Sequence, residues 1–188
     1  MNLYLIGYRG SGKTTVARCL ADLLHWPWTD ADQLLERQAG CTIKEIFERE
    51  GESGFRERET SVLAELAARE RQIVALGGGA VLRADNRAAI ATSGKTVWLQ
   101  ASPELLWSRI SGDPTTAARR PNLTGQGGLE EVRLLLDQRQ PLYEQCADLV
   151  LETDGKSPES LAANIAAWLA RDGRNAMLSD DTNSATPT

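Results

Sequence analysis

The chain has 188 residues, of which 41% are hydrophobic, and a formal net charge of −5 at pH 7. This length and apolar content suffice for one sizeable core, so we expect a single globular domain. An acidic chain repels the nucleic-acid backbone unless its basic residues cluster, so nucleic acid is not an expected partner. No apolar run is long enough to span a bilayer and the first residues lack signal-peptide features, so we expect a cytoplasmic protein with no membrane partner.

Cysteine and histidine are too few and too widely spaced to suggest a metal centre or a histidine-based catalytic site. We expect Cys19, Cys41 and Cys146 to be buried reduced thiols and His25 to lie at the end of a helix. Only four of the 21 basic residues are lysines. Because the arginine fork matches carboxylate and phosphate groups, this bias favours small anionic substrates.

Apolar runs alternate with amphipathic segments along the chain, which is the pattern of an α/β protein with a parallel sheet. Five strands are predicted, at residues 3–6, near Trp28, and at 73–76, 96–99 and 149–151. Helical periodicity predicts helices over 13–24 and 54–69. Capping signals predict further helix starts at Thr42 with Glu45, Ser102 with Pro103, and Ser157 with Pro158. The predicted fold is therefore a five-stranded parallel sheet flanked by helices.

Two segments lack apolar periodicity. Residues 112–128 form a long stretch without helix or strand signals, which is typical of a mobile active-site lid or a disordered insert. From residue 172 onward the chain is rich in Ser, Thr, Asp and Asn, and we expect a flexible tail without a catalytic role. We therefore predict one domain over residues 1–171, with a lid at about 112–128, and a tail over 172–188.

Residues 7–14 match the phosphate-binding pattern Gly-x-x-x-x-Gly-Lys-[Ser/Thr], between the first predicted strand and the first predicted helix. In such a P-loop, glycines let backbone N–H groups approach phosphate oxygens, and the helix adds its positive end. Lys13 would reach the β and γ phosphates of ATP, and the Thr14 hydroxyl would ligate Mg²⁺. The residues expected to contact ATP here are Gly10, Ser11, Gly12, Lys13, Thr14 and Thr15. The alternative is an ordinary glycine-rich turn.

A P-loop does not name the acceptor of the phosphoryl group, although its position in a short chain favours the compact nucleotide and metabolite kinases. Four further segments follow in order: Asp30-Ala31-Asp32, Phe55-Arg56-Glu57-Arg58-Glu59, Gly77-Gly78-Gly79, and Arg120-Pro121 with Arg139-Gln140-Pro141-Leu142-Tyr143. With the P-loop, they resemble the shikimate kinases over roughly residues 1–170. The run Leu123-Thr124-Gly125 resembles the second of the two enterobacterial-type isoforms.

The resemblance implies a P-loop kinase fold and transfer of the γ-phosphoryl group of MgATP to the 3-hydroxyl of shikimate, in aromatic amino-acid biosynthesis. In that family the first aspartate of Asp-x-Asp helps hold Mg²⁺ and the second contacts the acceptor hydroxyls, which assigns these roles to Asp30 and Asp32. If the segment is extended, both side chains point to one face and enter one pocket. A carboxylate beside the attacking hydroxyl can orient it and accept its proton. The alternative is that the aspartates cap the following helix.

The resemblance also assigns the shikimate-binding role to Arg56, Arg139 and the glycines 77–79. Arginine suits this task because its fork of donors fits a carboxylate. Glu59 lies three residues after Arg56 and would orient its guanidinium group. Without the resemblance, an exposed surface pair of Arg56 and Glu59 is the preferred interpretation.

Arg120 resembles the family arginine that reaches the ATP phosphates when the lid closes, and it is the third expected catalytic residue beside Lys13 and Asp32. The neighbouring Arg119 is an alternative for that role. Two rival functions remain open from the sequence: another small-molecule kinase, of the gluconate or nucleoside monophosphate type, and a nucleotide-binding protein without catalysis. The expected ligands are shikimate, ATP and Mg²⁺, and we expect a monomer.

Overall fold

The computed structural model describes residues 1–112 and 127–181, and for residues 173–181 it describes the backbone alone. The strands are β1 (Asn2–Ile6), β2 (Trp28–Asp30), β3 (Ile73–Ala75), β4 (Gly94–Gln100) and β5 (Leu149–Glu152). The helices are α1 (Lys13–Leu24), α2 (Ala31–Ala39), α3 (Ile43–Ala67), α4 (Ala84–Ser93), α5 (Pro103–Ser111), α6 (Gly128–Cys146) and α7 (Pro158–Asp181), with a short 3-10 helix at Ala80–Leu82.

All the strand pairs are parallel, and the strands lie in the order β2-β3-β1-β4-β5. The predicted parallel five-stranded sheet is confirmed, and each predicted strand overlaps an observed one. Because β1 is central and pairs with β3 and β4, the segments that follow β1, β2 and β3 leave the same edge of the sheet. That edge carries the predicted site residues.

Helices cover both faces of the sheet, because alternate side chains of each strand point to opposite faces. On β1, Leu3 and Leu5 pack with α1 and α7, whereas Tyr4 and Ile6 pack with α2, α3, α4 and α6. All four of these side chains are buried. Two apolar layers therefore enclose the sheet, and the P-loop begins where β1 ends between them. A third apolar cluster packs Tyr8 of the P-loop against α5 and α6.

The helix predicted over 54–69 is the second part of the longer helix α3. Thr42 and Glu45 form the predicted capping box at its start. At Gly51 the backbone leaves the helical conformation, with φ 68° and ψ −173°, and the helix continues after this break. Glycine tolerates such a positive φ at little cost. Periodicity alone did not predict this break, because apolar positions occur on both sides of it.

The other helix signals are also confirmed. Ser102 accepts a hydrogen bond from the N–H of Leu105 at the start of α5, and Ser157 accepts one from Ser160 at the start of α7. His25 ends α1 in the left-handed conformation, with φ 52°. The cysteines are free as expected, but they are partly exposed and not fully buried.

The last helix extends past the predicted end of the domain. Helix α7 continues through Asp181, so residues 172–181 of the predicted tail have a helical backbone, and residues 182–188 lie outside the described part of the chain. The Asp172 carboxylate lies 3.3 Å from Nζ of Lys95 at the start of β4. The division into a domain and a flexible tail stays a prediction. Among the described helices, none is long and apolar enough to cross a membrane.

Candidate active site

The P-loop connects β1 to α1 through backbone conformations that favour glycine. Gly7, Gly10 and Gly12 have φ angles of 137°, 82° and 91°. A Cβ atom on Gly7 would also lie 2.5 Å from the carbonyl oxygen of Leu99, so the loop passes too close to β4 for any side chain. The glycines are therefore required by the backbone path, which is the reason the motif contains them.

The ammonium group of Lys13 lies inside the P-loop. Its Nζ donates hydrogen bonds to the carbonyl oxygens of Gly7 at 2.7 Å and Tyr8 at 2.8 Å, and to Oγ of Ser11 at 3.4 Å. The side chain is buried, so a positive charge is held at the centre of the loop. Lys13 thus fixes the shape of the loop as well as placing charge where phosphates would bind.

Asp30 joins the P-loop to the start of α2. Its Oδ2 accepts a hydrogen bond of 2.6 Å from Oγ1 of Thr14, and its Oδ1 accepts one of 3.1 Å from the N–H of Gln33. Asp30 is therefore the N-cap of α2 and, at the same time, the partner of the predicted metal ligand Thr14. The cap and the site role are compatible, because each uses a different carboxylate oxygen.

The segment Asp30-Ala31-Asp32 is not extended throughout, and the alternative that an aspartate caps the following helix holds for Asp30. Strand β2 ends at Asp30 and helix α2 begins at Ala31, so Asp32 lies in the first turn of the helix. The helix starts here because the Asp30 side chain satisfies one of its free N–H groups. Asp32 nevertheless reaches the same edge of the sheet, where it lines the two cavities described next.

The larger cavity, the P-loop cavity, has a volume of about 530 Å³. All the P-loop residues predicted to contact ATP line it, together with Asp30 and Asp32. The lining residues that were not predicted include Arg109, Thr153 and Lys156. Nη1 of Arg109 donates a hydrogen bond of 3.0 Å to the carbonyl oxygen of Gly10. The pattern of α5 gives no sign of this contact, which depends on how that helix docks beside the loop.

The smaller cavity, the arginine pocket, encloses about 50 Å³ between the P-loop, α3 and the segment after β3. Its polar lining includes every predicted shikimate-binding residue and Glu59, namely Asp32, Arg56, Glu59, Gly77, Gly78, Gly79 and Arg139. Its apolar lining, which the sequence did not indicate, includes Ile43, Phe47 and Phe55. Arg9, Asp32, Ile43 and Gly78 line both cavities, so the two adjoin each other.

Arg56 is held by two glutamates of its own helix. Nη1 donates a hydrogen bond of 2.8 Å to Oε2 of Glu59, which confirms that the two side chains pair. Nε and Nη2 donate to Oε1 of Glu52, at 3.3 and 3.1 Å. The Glu59 side chain is only 6% exposed, and this burial raises the pKa of its carboxyl, while the neighbouring Arg56 opposes the rise. The alternative of an exposed surface pair is therefore wrong.

Arg139 of α6 reaches the pocket from the opposite side. Nη1 donates a hydrogen bond of 3.3 Å to the carbonyl oxygen of Gly78, and the guanidinium group lies 5.5 Å from the centre of the Tyr8 ring. The same carbonyl oxygen accepts a bond of 2.6 Å from the Tyr143 hydroxyl. Burial raises the pKa of Tyr143 far above its usual range, so this hydroxyl stays protonated and remains a donor.

The glycines after β3 provide space for these side chains. A Cβ atom on Gly77 would lie 2.7 Å from Oδ1 of Asp32 and 3.0 Å from Oε1 of Glu59. One on Gly79 would lie 2.6 Å from Nη2 of Arg56. The triple glycine is therefore needed because two carboxylates and a guanidinium group pack directly against the backbone.

A further ion pair links the P-loop to α6. Nη2 of Arg9 lies 3.4 Å from Oε1 of Glu131, whose side chain is only 1% exposed. Neither residue was predicted, because position 9 is variable in the P-loop pattern. The predicted residues Arg119 and Arg120, and most of the predicted lid, lie outside the described residues.

Similarity to known proteins extends over most of the chain. The shikimate kinase family model matches residues 9–170 of the chain. The shikimate kinase of Rhodopirellula baltica is 46% identical over 164 residues, which is 87% of this chain and 88% of the relative. The chain belongs to the shikimate kinase family. It is therefore an enzyme, an ATP-dependent small-molecule kinase with a P-loop kinase fold.

Other relatives and solved structures extend this similarity along nearly the whole chain. The shikimate kinase of Symbiobacterium thermophilum is 44% identical over 173 residues, covering 92% of this chain and 98% of the relative. The structure of shikimate kinase from Acinetobacter baumannii in complex with shikimate superposes with a TM-score of 0.85 at 41% identity, covering 91% of this chain and 93% of that one. The family assignment favours shikimate kinase over the two rival functions.

Proposed function

We propose that the protein transfers the γ-phosphoryl group of MgATP to the 3-hydroxyl of shikimate, giving shikimate 3-phosphate and ADP. The observation that carries the proposal is the arginine pocket beside the P-loop cavity. It brings Arg56, Arg139 and Asp32 together, so it offers cations for a carboxylate and a carboxylate for a hydroxyl. The pocket adjoins the site of the phosphates, as transfer between the two ligands requires.

On the donor side, the P-loop would hold the ATP phosphates with its backbone N–H groups and with Lys13. The ammonium group lies within the loop, so it would place positive charge beside the phosphates as negative charge moves between oxygens. Arg9, Arg109 and Lys156 add further cations to the lining of the same cavity. Arg120 is assigned to the phosphates from the sequence resemblance alone.

Thr14 and Asp30 fit the expected Mg²⁺ ion. A hydroxyl oxygen and a carboxylate oxygen lie 2.6 Å apart beside the P-loop, and oxygen donors of this kind suit a hard divalent cation. When bound, the ion neutralises phosphate charge and helps orient the γ-phosphoryl group. Magnesium also uses few protein ligands and takes others from phosphates and water, so two side chains are enough.

On the acceptor side, Arg56 and Arg139 would bind the shikimate carboxylate, and Asp32 would meet its hydroxyl. Asp32 lines both cavities, so its carboxylate lies between the acceptor and the phosphates. There it can orient the attacking oxygen and accept its proton. Phe47, Phe55 and the other apolar lining residues exclude water, which would otherwise compete as an acceptor.

The direct test is ADP release measured with ATP and Mg²⁺, in the presence of shikimate, gluconate or a nucleoside monophosphate. We expect release that requires both shikimate and Mg²⁺, and none above background with the other acceptors. Release with gluconate or a nucleotide, but not with shikimate, would refute the proposed acceptor. We also propose that the active form is a monomer, and size-exclusion chromatography of the active protein tests this.

A further inference from the structure

The guanidinium group of Arg56 is constrained on three sides. Nη1 is bonded to the buried Glu59, Nε and Nη2 share one oxygen of Glu52, and the flat face lies against Gly79. Arg56 lines the arginine pocket, whereas Glu52 is not among the residues that line it. Glu52 therefore contacts Arg56 from outside the pocket.

These bonds leave a specific part of the fork available. A guanidinium group has five N–H donors in one plane. Because one oxygen of Glu52 accepts from both Nε and Nη2, it lies on the side edge that these two nitrogens form. Glu59 takes one N–H of Nη1, so one N–H remains on each terminal nitrogen of Arg56. A carboxylate that accepts from both of these donors would form a bidentate contact.

The contact with Glu59 alone would not fix the direction of these donors. A single hydrogen bond at Nη1 allows the planar group to rotate about that contact, whereas a second bond on the opposite edge prevents the rotation. Glu52 supplies this second bond, at the i−4 position on the same helix. The position of Glu52 follows from the break at Gly51, because Glu52 begins the second part of α3. The helix dipole also favours an acidic side chain at the start of a helix.

We propose that Glu52 is a positioning residue for shikimate binding, which holds Arg56 so that its two remaining terminal N–H groups face the substrate carboxylate. The proposal rests on the proposed function, because it assigns that carboxylate to Arg56. Glu52 itself touches no substrate. Its side chain is 62% exposed, so it acts through one partly solvated ion pair, and a modest effect follows.

The test compares Glu52→Gln with Glu57→Gln, an exposed glutamate of the same helix that undergoes the same loss of charge. We expect Glu52→Gln to raise the KM and the Kd for shikimate by about two- to fivefold, the range for an exposed ion pair. The kcat and the KM for ATP should stay unchanged, and Glu57→Gln should match the wild type. Thermal melting of both variants checks that they fold.

A double-mutant cycle shows whether Glu52 acts through Arg56. In an Arg56→Lys background the fork is absent, so adding Glu52→Gln should cause no further change in the Kd for shikimate. The proposal is overturned if Glu52→Gln weakens shikimate binding equally in the Arg56→Lys background, or if Glu57→Gln has a comparable effect. It is also overturned if Glu52→Gln binds shikimate more tightly, because Glu52 would then compete with shikimate for Arg56. Failure of the proposed function would differ, since wild-type protein would then show no shikimate-dependent ADP release.

Discussion

Replacing Gly79 with alanine should disable the acceptor site without disturbing the ATP site. The backbone of Gly79 has φ −105° and ψ 0°, which alanine can adopt, so the effect is steric. The added Cβ would lie 2.6 Å from Nη2 and 2.8 Å from Cζ of Arg56. Since ordinary contacts between such atoms need about 3.5 Å, the guanidinium group must move by roughly 1 Å.

This displacement sets the size of the expected effect. A misplacement of about 1 Å at a positioning group can lower the rate by about 100-fold, which corresponds to about 2.7 kcal/mol of transition-state stabilisation. We expect kcat/KM for shikimate to fall by about this factor in Gly79→Ala, with the Kd for ATP unchanged. Steady-state kinetics with shikimate varied at saturating ATP, together with nucleotide binding in the absence of shikimate, measure both quantities.

Gly40→Ala is the control for a general loss of stability. Gly40 ends α2 with φ 66°, and a Cβ there would meet no atom within 4 Å. Alanine at this position strains the backbone by about 1 kcal/mol or more but leaves the site intact. We expect a lower melting temperature in Gly40→Ala with a normal KM for shikimate. Unchanged shikimate kinetics in Gly79→Ala, or an equal loss of ATP binding, would refute the steric explanation.

Three further predictions concern the ATP site and the carboxyl terminus. Lys13→Ala should lower shikimate-dependent ADP release by about 100-fold or more. Amide hydrogen exchange in the P-loop should also become faster, because the hydrogen bonds of the ammonium group within the loop are lost. Asp30→Asn should raise the Mg²⁺ concentration needed for activity. Asp32→Asn should instead lower kcat by roughly 100- to 10,000-fold at an unchanged Mg²⁺ requirement. Mg²⁺ titration of both variants distinguishes the two roles. Truncation after residue 175 should preserve activity and melting temperature, because it retains the pair of Lys95 and Asp172; a large loss in either would show that the removed residues pack or participate.

The fold was predictable from the sequence where local signals and burial agree. Strands β1, β3, β4 and β5 each contain a short apolar run, whereas β2 is Trp28-Thr29-Asp30. Each predicted cap precedes a helix and accepts a hydrogen bond from one of its first N–H groups. The order of the strands was not predicted, because it depends on how helices pack between them. The break at Gly51 was missed for a related reason: a glycine in a helical pattern is tolerated at moderate cost, so its conformation is decided by tertiary contacts.

The site was predictable where its residues lie close together in the sequence. The P-loop is contiguous, and the spacing of three residues on one helix pairs Arg56 with Glu59. The placing of that pair, of Arg139 and of the glycines 77–79 in one acceptor site came from the family resemblance, because spacing alone favours an exposed surface pair. Arg109 and the Arg9–Glu131 pair were missed because they depend on contacts between distant segments. The assumed extended geometry around Asp30 failed because an aspartate at the end of a strand is also a strong helix cap.

The backbone of Gly78 fixes the position of the acceptor site relative to the ATP site. A Cβ on Gly78 would lie 3.2 Å from the backbone nitrogen of Arg9, so the two glycine-rich segments pack directly against each other. On its other side, the carbonyl oxygen of Gly78 accepts hydrogen bonds from Arg139 and Tyr143. A side chain at this position would push the two segments apart by a few tenths of an ångström, so glycine here keeps the two cavities close together. In-line transfer requires the phosphoryl donor and the acceptor to be close and aligned when both are bound, and a contact between two backbone segments leaves less freedom than a contact between side chains.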